Sequence, residues 1–122
     1  MTEIQLIENK ENQIFIKRDD FIPFSFGGNK ARKALLFFED FDKGDYNCVV
    51  TYGSSSTNHC RVISNICRQR QIPCFIISPL EASEPTYNSK LIELFGANIT
   101  LVPVCDVKTT IENKIESLKR DG

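Results

Sequence analysis

CVVTYGSSSTNHCRVISNICRQRQIPCFIIS, Cys48 to Ser78, decides the fold. Its two ends, Cys48–Tyr52 and Cys74–Ser78, are short, nearly continuous apolar runs rich in β-branched residues, the pattern of strands buried on both faces. Between them, from about Asn58 to Arg70, Val62, Ile63, Ile66 and Cys67 fall on one helical stripe. Strand, helix and strand in that order make a parallel pair joined by a crossover.

The same alternation continues outward. A third apolar run, Ile99–Val102, follows a helical stretch from Tyr87 to Phe95 that ends at Gly96, a natural C-cap. A last helix starts after Asp106, a good N-cap, and carries Val107, Ile111, Ile115 and Leu118 on one side. Upstream, Gln13–Lys17 reads as a strand, Arg18-Asp19-Asp20 as a charged turn, Pro23 to Gly28 as a loop and Asn29 to Phe41 as a helix. The stretch PLEASEP, Pro79 to Pro85, is short enough to be a βα loop. The expected fold class is α/β: an open, parallel, twisted sheet with helices on both faces and right-handed crossovers. Residues 1–32 form an N-terminal strand and lysine-bearing loop, and residues 33–122 the parallel α/β domain.

Composition narrows the function classes. The 122 residues, 41% hydrophobic and 25% charged, suit one globular domain that buries a real core. A net charge of -1 supplies no general attraction to nucleic acid or anionic membrane. The start, Met1-Thr2-Glu3-Ile4-Gln5, is charged and amide-rich rather than a secretory leader, and no run reaches the length of a membrane span, so a cytoplasmic location is expected. Five cysteines without a C-x-x-C pair argue against a disulfide framework or a zinc site, and most lie inside apolar segments as small hydrophobes. The single histidine, His59, excludes schemes that need paired imidazoles.

In parallel α/β sheets ligands bind at the carboxyl ends of the strands. There TYGSSSTNH places Gly53, then Ser54, Ser55, Ser56, Thr57 and Asn58, where a helix begins. Backbone N–H groups and hydroxyls at a helix start suit a phosphate, carboxylate or phenolate oxygen; the same residues also suit plain capping. The run is neither a P-loop, a nucleophile elbow nor a dinucleotide fingerprint. A second stretch, FSFGGNKARK, Phe24 to Lys33, puts Lys30, Arg32 and Lys33 at the positive end of a helix. That field favours the neutral amine, the form that attacks carbonyls. Gly27 and Gly28 permit positive φ or close approach to a cofactor. A solvated basic turn and a phosphate-gripping patch are the other readings of these cations.

Taken together, KRDD…FGGNKARK (Lys17 to Lys33), GSSSTNHCR (Gly53 to Arg61) and YNSKLIELFGANITLV (Tyr87 to Val102) resemble the pyridoxal-phosphate enzymes of the tryptophan-synthase β fold, called fold type II. The resemblance is strongest to the 1-aminocyclopropane-1-carboxylate deaminase and D-cysteine desulfhydrase group. It implies a lyase or deaminase that releases ammonia and a 2-oxo acid from a small amino acid. Lys30 would then bind the cofactor covalently and move substrate protons, with Gly28 and Asn29 beside it. Asn58 would hydrogen-bond the cofactor's 3′ oxygen and also belong to the substrate-binding set. Thr57 would contact the substrate carboxylate or assist proton transfer, and Ser56 and His59 would complete the substrate side. No metal is implied, and the complete enzyme would be a homodimer.

The chain departs from the group at Gly53-Ser54-Ser55-Ser56-Thr57-Asn58, where Gly-Gly-x-x-Ser-Asn is usual. Only the N-terminal part of such an enzyme is covered, as in its small domain with the lysine-bearing segment before it. The close Lys119-Arg120-Asp121-Gly122 falls where another element is expected, so truncation, exposed apolar surface and self-association are expected too. A non-catalytic binding module on the same scaffold and a phosphate- or nucleotide-binding α/β domain are the alternatives.

Overall fold

The computed structural model describes residues 2–8 and 11–121, so Met1 and Gly122 of the sequence reading lie outside the described residues. The strands are β1 (Ile4–Glu8), β2 (Gln13–Lys17), β3 (Val49–Tyr52), β4 (Cys74–Pro79) and β5 (Asn98–Val102). The helices are α1 (Asn29–Lys43), α2 (Asn58–Arg70), α3 (Tyr87–Leu94) and α4 (Val107–Arg120). Single 3-10 turns occupy Asp19–Phe21, Leu80–Ala82 and Val104–Asp106.

Strands β3, β4 and β5 form a parallel sheet in that order, with Val49 opposite Cys74 and Ile76 opposite Ile99. Alternation along β4 assigns its two faces. Cys74 and Ile76 join the core cluster that α2 fills with Cys60, Val62, Ile63, Ile66 and Cys67. On the other face Phe75 lies under α4, whose Lys114 Nζ stands 4.1 Å from the ring centroid. Helices α1 and α3 flank α2, adding Ala31, Ala34, Phe38 and Ile92 to the same core. Each fully buried branched side chain among these contributes roughly 1.5–3 kcal/mol.

The open parallel sheet with helices on both faces is as expected, but two local readings need correction. Within this sheet only β4 is buried along both faces; β3 is mostly half-buried and β5 is largely exposed, with Ile99 and Val102 half-buried, because a three-stranded sheet has just one interior strand. The N-terminal segment also contains a strand that its charge and amides hid: β1 pairs antiparallel with β2, from Ile4 opposite Lys17 to Glu8 opposite Gln13. This hairpin exposes Leu6, Ile7, Ile14, Phe15 and Ile16.

The cysteines behave largely as small hydrophobes. Cys60, Cys67 and Cys74 are buried, Cys48 is half-buried and Cys105 is exposed. A hydrogen bond with Cys67, together with burial, keeps the Cys74 proton on well above the ordinary thiol range. Asp106 occupies the N-cap position of α4 without making a side-chain cap bond. Gly96 follows α3 at φ +77°, the left-handed cap that its sequence position suggested.

Candidate active site

The carboxyl end of β3 leads into the loop Gly53–Thr57, and α2 begins at Asn58 with Thr57 as N-cap. Thr57 Oγ1 accepts the Cys60 N–H at 3.2 Å. Gly53 is required here by proximity: a Cβ would stand 2.8 Å from Cys60 Sγ and 3.3 Å from Thr57 Oγ1. The loop is pinned from below, where the buried Ser55 N–H donates to Ser78 Oγ at 2.9 Å, at the end of β4. Ser54 Oγ donates to the Ala82 carbonyl at 3.0 Å and lies 2.8 Å from Ser56 Oγ.

The lysine loop is built differently. Ser25 and Phe26, both at positive φ, form a reversal closed by Gly27 N–H to Phe24 O at 3.0 Å. Gly27 follows at φ +67°, where a Cβ would stand 2.6 Å from the Asp20 carbonyl oxygen. The Gly28 N–H donates to the Asp19 carbonyl at 2.7 Å, and Gly28 is the N-cap of α1. Lys30 therefore sits in the first turn of a helix with no acidic residue there and no capping side chain.

Of the three cations in this stretch, Arg32 is neutralised by Asp19, to which it donates through Nε (3.0 Å) and Nη2 (2.5 Å). That pair holds the Asp19 carboxyl below the usual carboxylate range, with Thr2 Oγ1 adding a weaker bond at 3.3 Å. Lys30 has no hydrogen-bond or ion-pair partner among the described residues, and it is half-buried.

The two loops meet because α1 packs on α2. His59, in the first turn of α2, lies with its Nε2 2.8 Å from Thr51 Oγ1 and its ring edge-on to Phe37. Burial lowers the His59 pKa from 6.5, and the charges of Lys30 and then Lys33 lower it further. The imidazole is thus neutral at neutral pH. His59 also borders a cavity of about 290 Å³ lined by Phe37, Phe41 and Val50.

Asn58 is exposed at the head of α2. Its Oδ1 accepts from Arg61 Nη1 at 2.9 Å and from Asn88 Nδ2 at 3.0 Å. Arg61 Nη1 also donates to Asn88 Oδ1 (3.1 Å) and Nη2 to the Ser25 carbonyl (3.0 Å), which ties α2 to α3 and to the lysine loop. Desolvation lowers the Arg61 pKa from its ordinary value.

The charge of Lys30 is one of the causes that lower the His59 pKa; Ser56, Thr57 and Asn58 follow one another at the start of α2, and Gly28 and Asn29 lead into Lys30. Asp19, Ser78, Arg61 and Asn88 were not singled out by sequence reasoning. A signal existed for Arg61, three residues after Asn58 on one helix and so on the same face. Asp19 and Asn88 act across loops, where spacing carries no such signal.

The donor set fits one end of a pyridoxal-phosphate ligand. A half-buried amine with no partner among the described residues suits an aldehyde, and an exposed amide with a saturated carbonyl presents N–H groups to a ring oxygen.

Comparison with known proteins points the same way. Residues 2–121 match the family described as pyridoxal-phosphate dependent enzyme. The chain is 29% identical over 112 residues to a D-cysteine desulfhydrase of Salmonella paratyphi A, covering 87% of this chain and 33% of that protein. It is 28% identical over 120 residues to a D-cysteine desulfhydrase of Klebsiella pneumoniae, covering 93% and 36%. A crystal structure of an ACC deaminase homologue superposes with a TM-score of 0.83 at 24% identity, over 99% of this chain and 39% of that one. The chain thus spans about a third of the length of the curated relatives it matches. With its lysine loop and the Gly53–Asn58 turn on one parallel α/β scaffold, this chain belongs to the family of pyridoxal-phosphate-dependent enzymes.

Proposed function

We propose that the chain is the lysine-bearing N-terminal part of a lyase or deaminase acting on a small amino acid, like D-cysteine desulfhydrase or 1-aminocyclopropane-1-carboxylate deaminase. The reaction is a β-elimination or a ring-opening deamination that takes up water and gives ammonia and a 2-oxo acid, with sulfide leaving when the substrate is cysteine. Residues 1–32 carry the lysine loop, and residues 33–122 the α/β domain against which it closes.

One observation carries this reading: Arg61, three residues after Asn58 on α2, donates through Nη2 to the Ser25 carbonyl at 3.0 Å and so ties the Asn58 helix start to the loop before Lys30, whose amine is unpaired among the described residues. When bound, pyridoxal phosphate supplies an electron sink for the pair left by the broken substrate bond. Lys30 would hold the cofactor at its aldehyde carbon, and its Nζ would take up and return the substrate proton. Asn58 Nδ2 would donate to the ring oxygen. Thr57 Oγ1 accepts its cap bond from Cys60 and keeps its own O–H to donate to a substrate carboxylate. Ser56 and neutral His59 line the same side, and Gly28 and Asn29 bring Lys30 in without bulk at the N-cap. A phosphate cradle at Gly53–Asn58 has less support, because Ser54 and Ser56 hydrogen-bond to one another and Ser54 to Ala82.

The test is to incubate the chain with excess pyridoxal phosphate, reduce with borohydride and map the modified peptide. Label concentrated on Lys30 and lost in Lys30→Ala is expected. Label spread evenly over the exposed lysines, or none, overturns the reading. The isolated chain is expected to turn over D-cysteine slowly if at all, and rapid turnover would contradict its being a part of the enzyme.

A further inference from the structure

The Asn58 amide is held in one orientation. A guanidinium can only donate, so both amide oxygens facing Arg61, Asn58 Oδ1 and Asn88 Oδ1, are fixed as oxygens. Asn88 Nδ2 then has to point away from Arg61, and it donates to Asn58 Oδ1 and to the Ser56 carbonyl at 2.8 Å. Asn58 Oδ1 has thereby filled both lone pairs. The two hydrogens on Asn58 Nδ2 remain, with no partner among the described residues.

Packing stability alone does not account for this cluster. Arg61 Nε and Ser25 Oγ are both buried with no hydrogen-bond partner among the described residues, and an unpaired buried polar atom lowers stability. The acceptors Arg61 has are all neutral amides, so its charge is not cancelled by a carboxylate.

We propose, resting on the reading of Asn58 as donor to a cofactor oxygen, that Arg61 and Asn88 are positioning residues that lock Asn58 as a pure donor and so select a deprotonated ligand oxygen. A free asparagine rotates its amide and accepts from a hydroxyl as readily as it donates to an oxyanion. With its carbonyl saturated from behind, Asn58 offers nothing to a phenol hydrogen and two N–H groups to a phenolate. The third arm, Arg61 Nη2 to the Ser25 carbonyl, sets this donor in register with the loop that carries Lys30. Lysine cannot replace the arginine, since one ammonium does not span three oxygens on three separate segments.

Two measurements test the clamp, one without cofactor. In the uniformly ¹⁵N-labelled chain, the Asn58 side-chain amide should be as rigid as the folded backbone, and in Arg61→Lys it should become mobile on the nanosecond scale while the backbone spectrum keeps its dispersion. An Asn58 amide equally rigid in both proteins overturns the proposal. If Arg61→Lys does not fold, Asn88→Ala removes the other donor and is read the same way. The second measurement is the pH titration of the ring oxygen in the Lys30 adduct, followed by its visible absorption. Its midpoint should rise by about one unit in Arg61→Lys, the equivalent of one charge-assisted hydrogen bond. An unchanged midpoint overturns the selection of a deprotonated oxygen. Absence of any Lys30 adduct in the unmutated chain defeats the reading of Lys30 and the cofactor half of this inference, while the relaxation measurement still decides whether Arg61 locks Asn58.

Discussion

The charge of Lys30, in the first turn of α1, acts on the imidazole of His59, in the first turn of α2. Burial is the larger reason for the lowered His59 pKa, and Lys30 and Lys33 follow. Lys30→Met is therefore expected to raise the His59 midpoint toward 6.5, followed by ring-proton chemical shifts against pH. Lys33→Met should do the same more weakly, and an unmoved midpoint in Lys30→Met would separate the two loops. Because folded His59 titrates below the unfolded value, its contribution to stability is complete above 6.5 and declines as pH falls through the folded midpoint.

A second pH effect belongs to the turn before α1. Hydrogen bonds from Arg32 and from Arg18 hold the Asp19 and Asp20 carboxyls below their ordinary 3.8. A depressed carboxylate stabilises the fold above the unfolded pKa and stops doing so as pH falls through the folded one. Acid below about pH 4 should thus release the start of α1 before the sheet. Amide hydrogen exchange of Ala31 and Arg32 measures this, and Asp19→Asn should give the same loosening at neutral pH. Exchange at the start of α1 no faster in Asp19→Asn would remove the Arg32 pair as the anchor.

Much of this fold is written locally. The stripe of Val62, Ile63, Ile66 and Cys67 gave α2 its bounds, since burial on one helical face imposes a period that sequence displays. The site was half legible. Lys30 and Asn58 stand at helix starts, where glycine, hydroxyl and amide residues mark the boundary, and the family resemblance attached roles to them. Arg61 gains its meaning only when the lysine loop and α3 are folded against α2. β1 was missed because Glu3, Gln5 and Glu8 flank and break up its apolar residues, whereas its partner β2 carries Ile14, Phe15 and Ile16 in succession.

Gly53 marks the closest approach in the Gly53–Thr57 loop. Alanine there brings a methyl to 2.8 Å from the Sγ of Cys60, a residue with 0% exposure and little room to yield. Gly53→Ala should destabilise by about 1–3 kcal/mol in urea titrations. Cys60→Ala deletes the obstructing sulfur, so the double variant should lose less than the sum of the two single changes. Strict additivity would mean that the glycine serves something other than clearance.

Thr57 separates capping from chemistry. Its Oγ1 accepts the Cys60 N–H, so Thr57→Ala leaves a helix-end donor unpaired and should cost about 1 kcal/mol, a fall of roughly 4 °C in Tm for a chain of this size. Thr57→Ser retains the cap oxygen and should keep most of that stability. The proposed contact with a substrate carboxylate needs the O–H as donor, which serine also supplies. The affinity of the Lys30 adduct for a small amino acid should therefore survive Thr57→Ser and drop about tenfold in Thr57→Ala, one hydrogen bond to a charged group. That comparison is made after each variant is shown to be folded at the working temperature. An alanine variant that binds amino acid as well as the parent, while melting lower, would confine Thr57 to the end of α2.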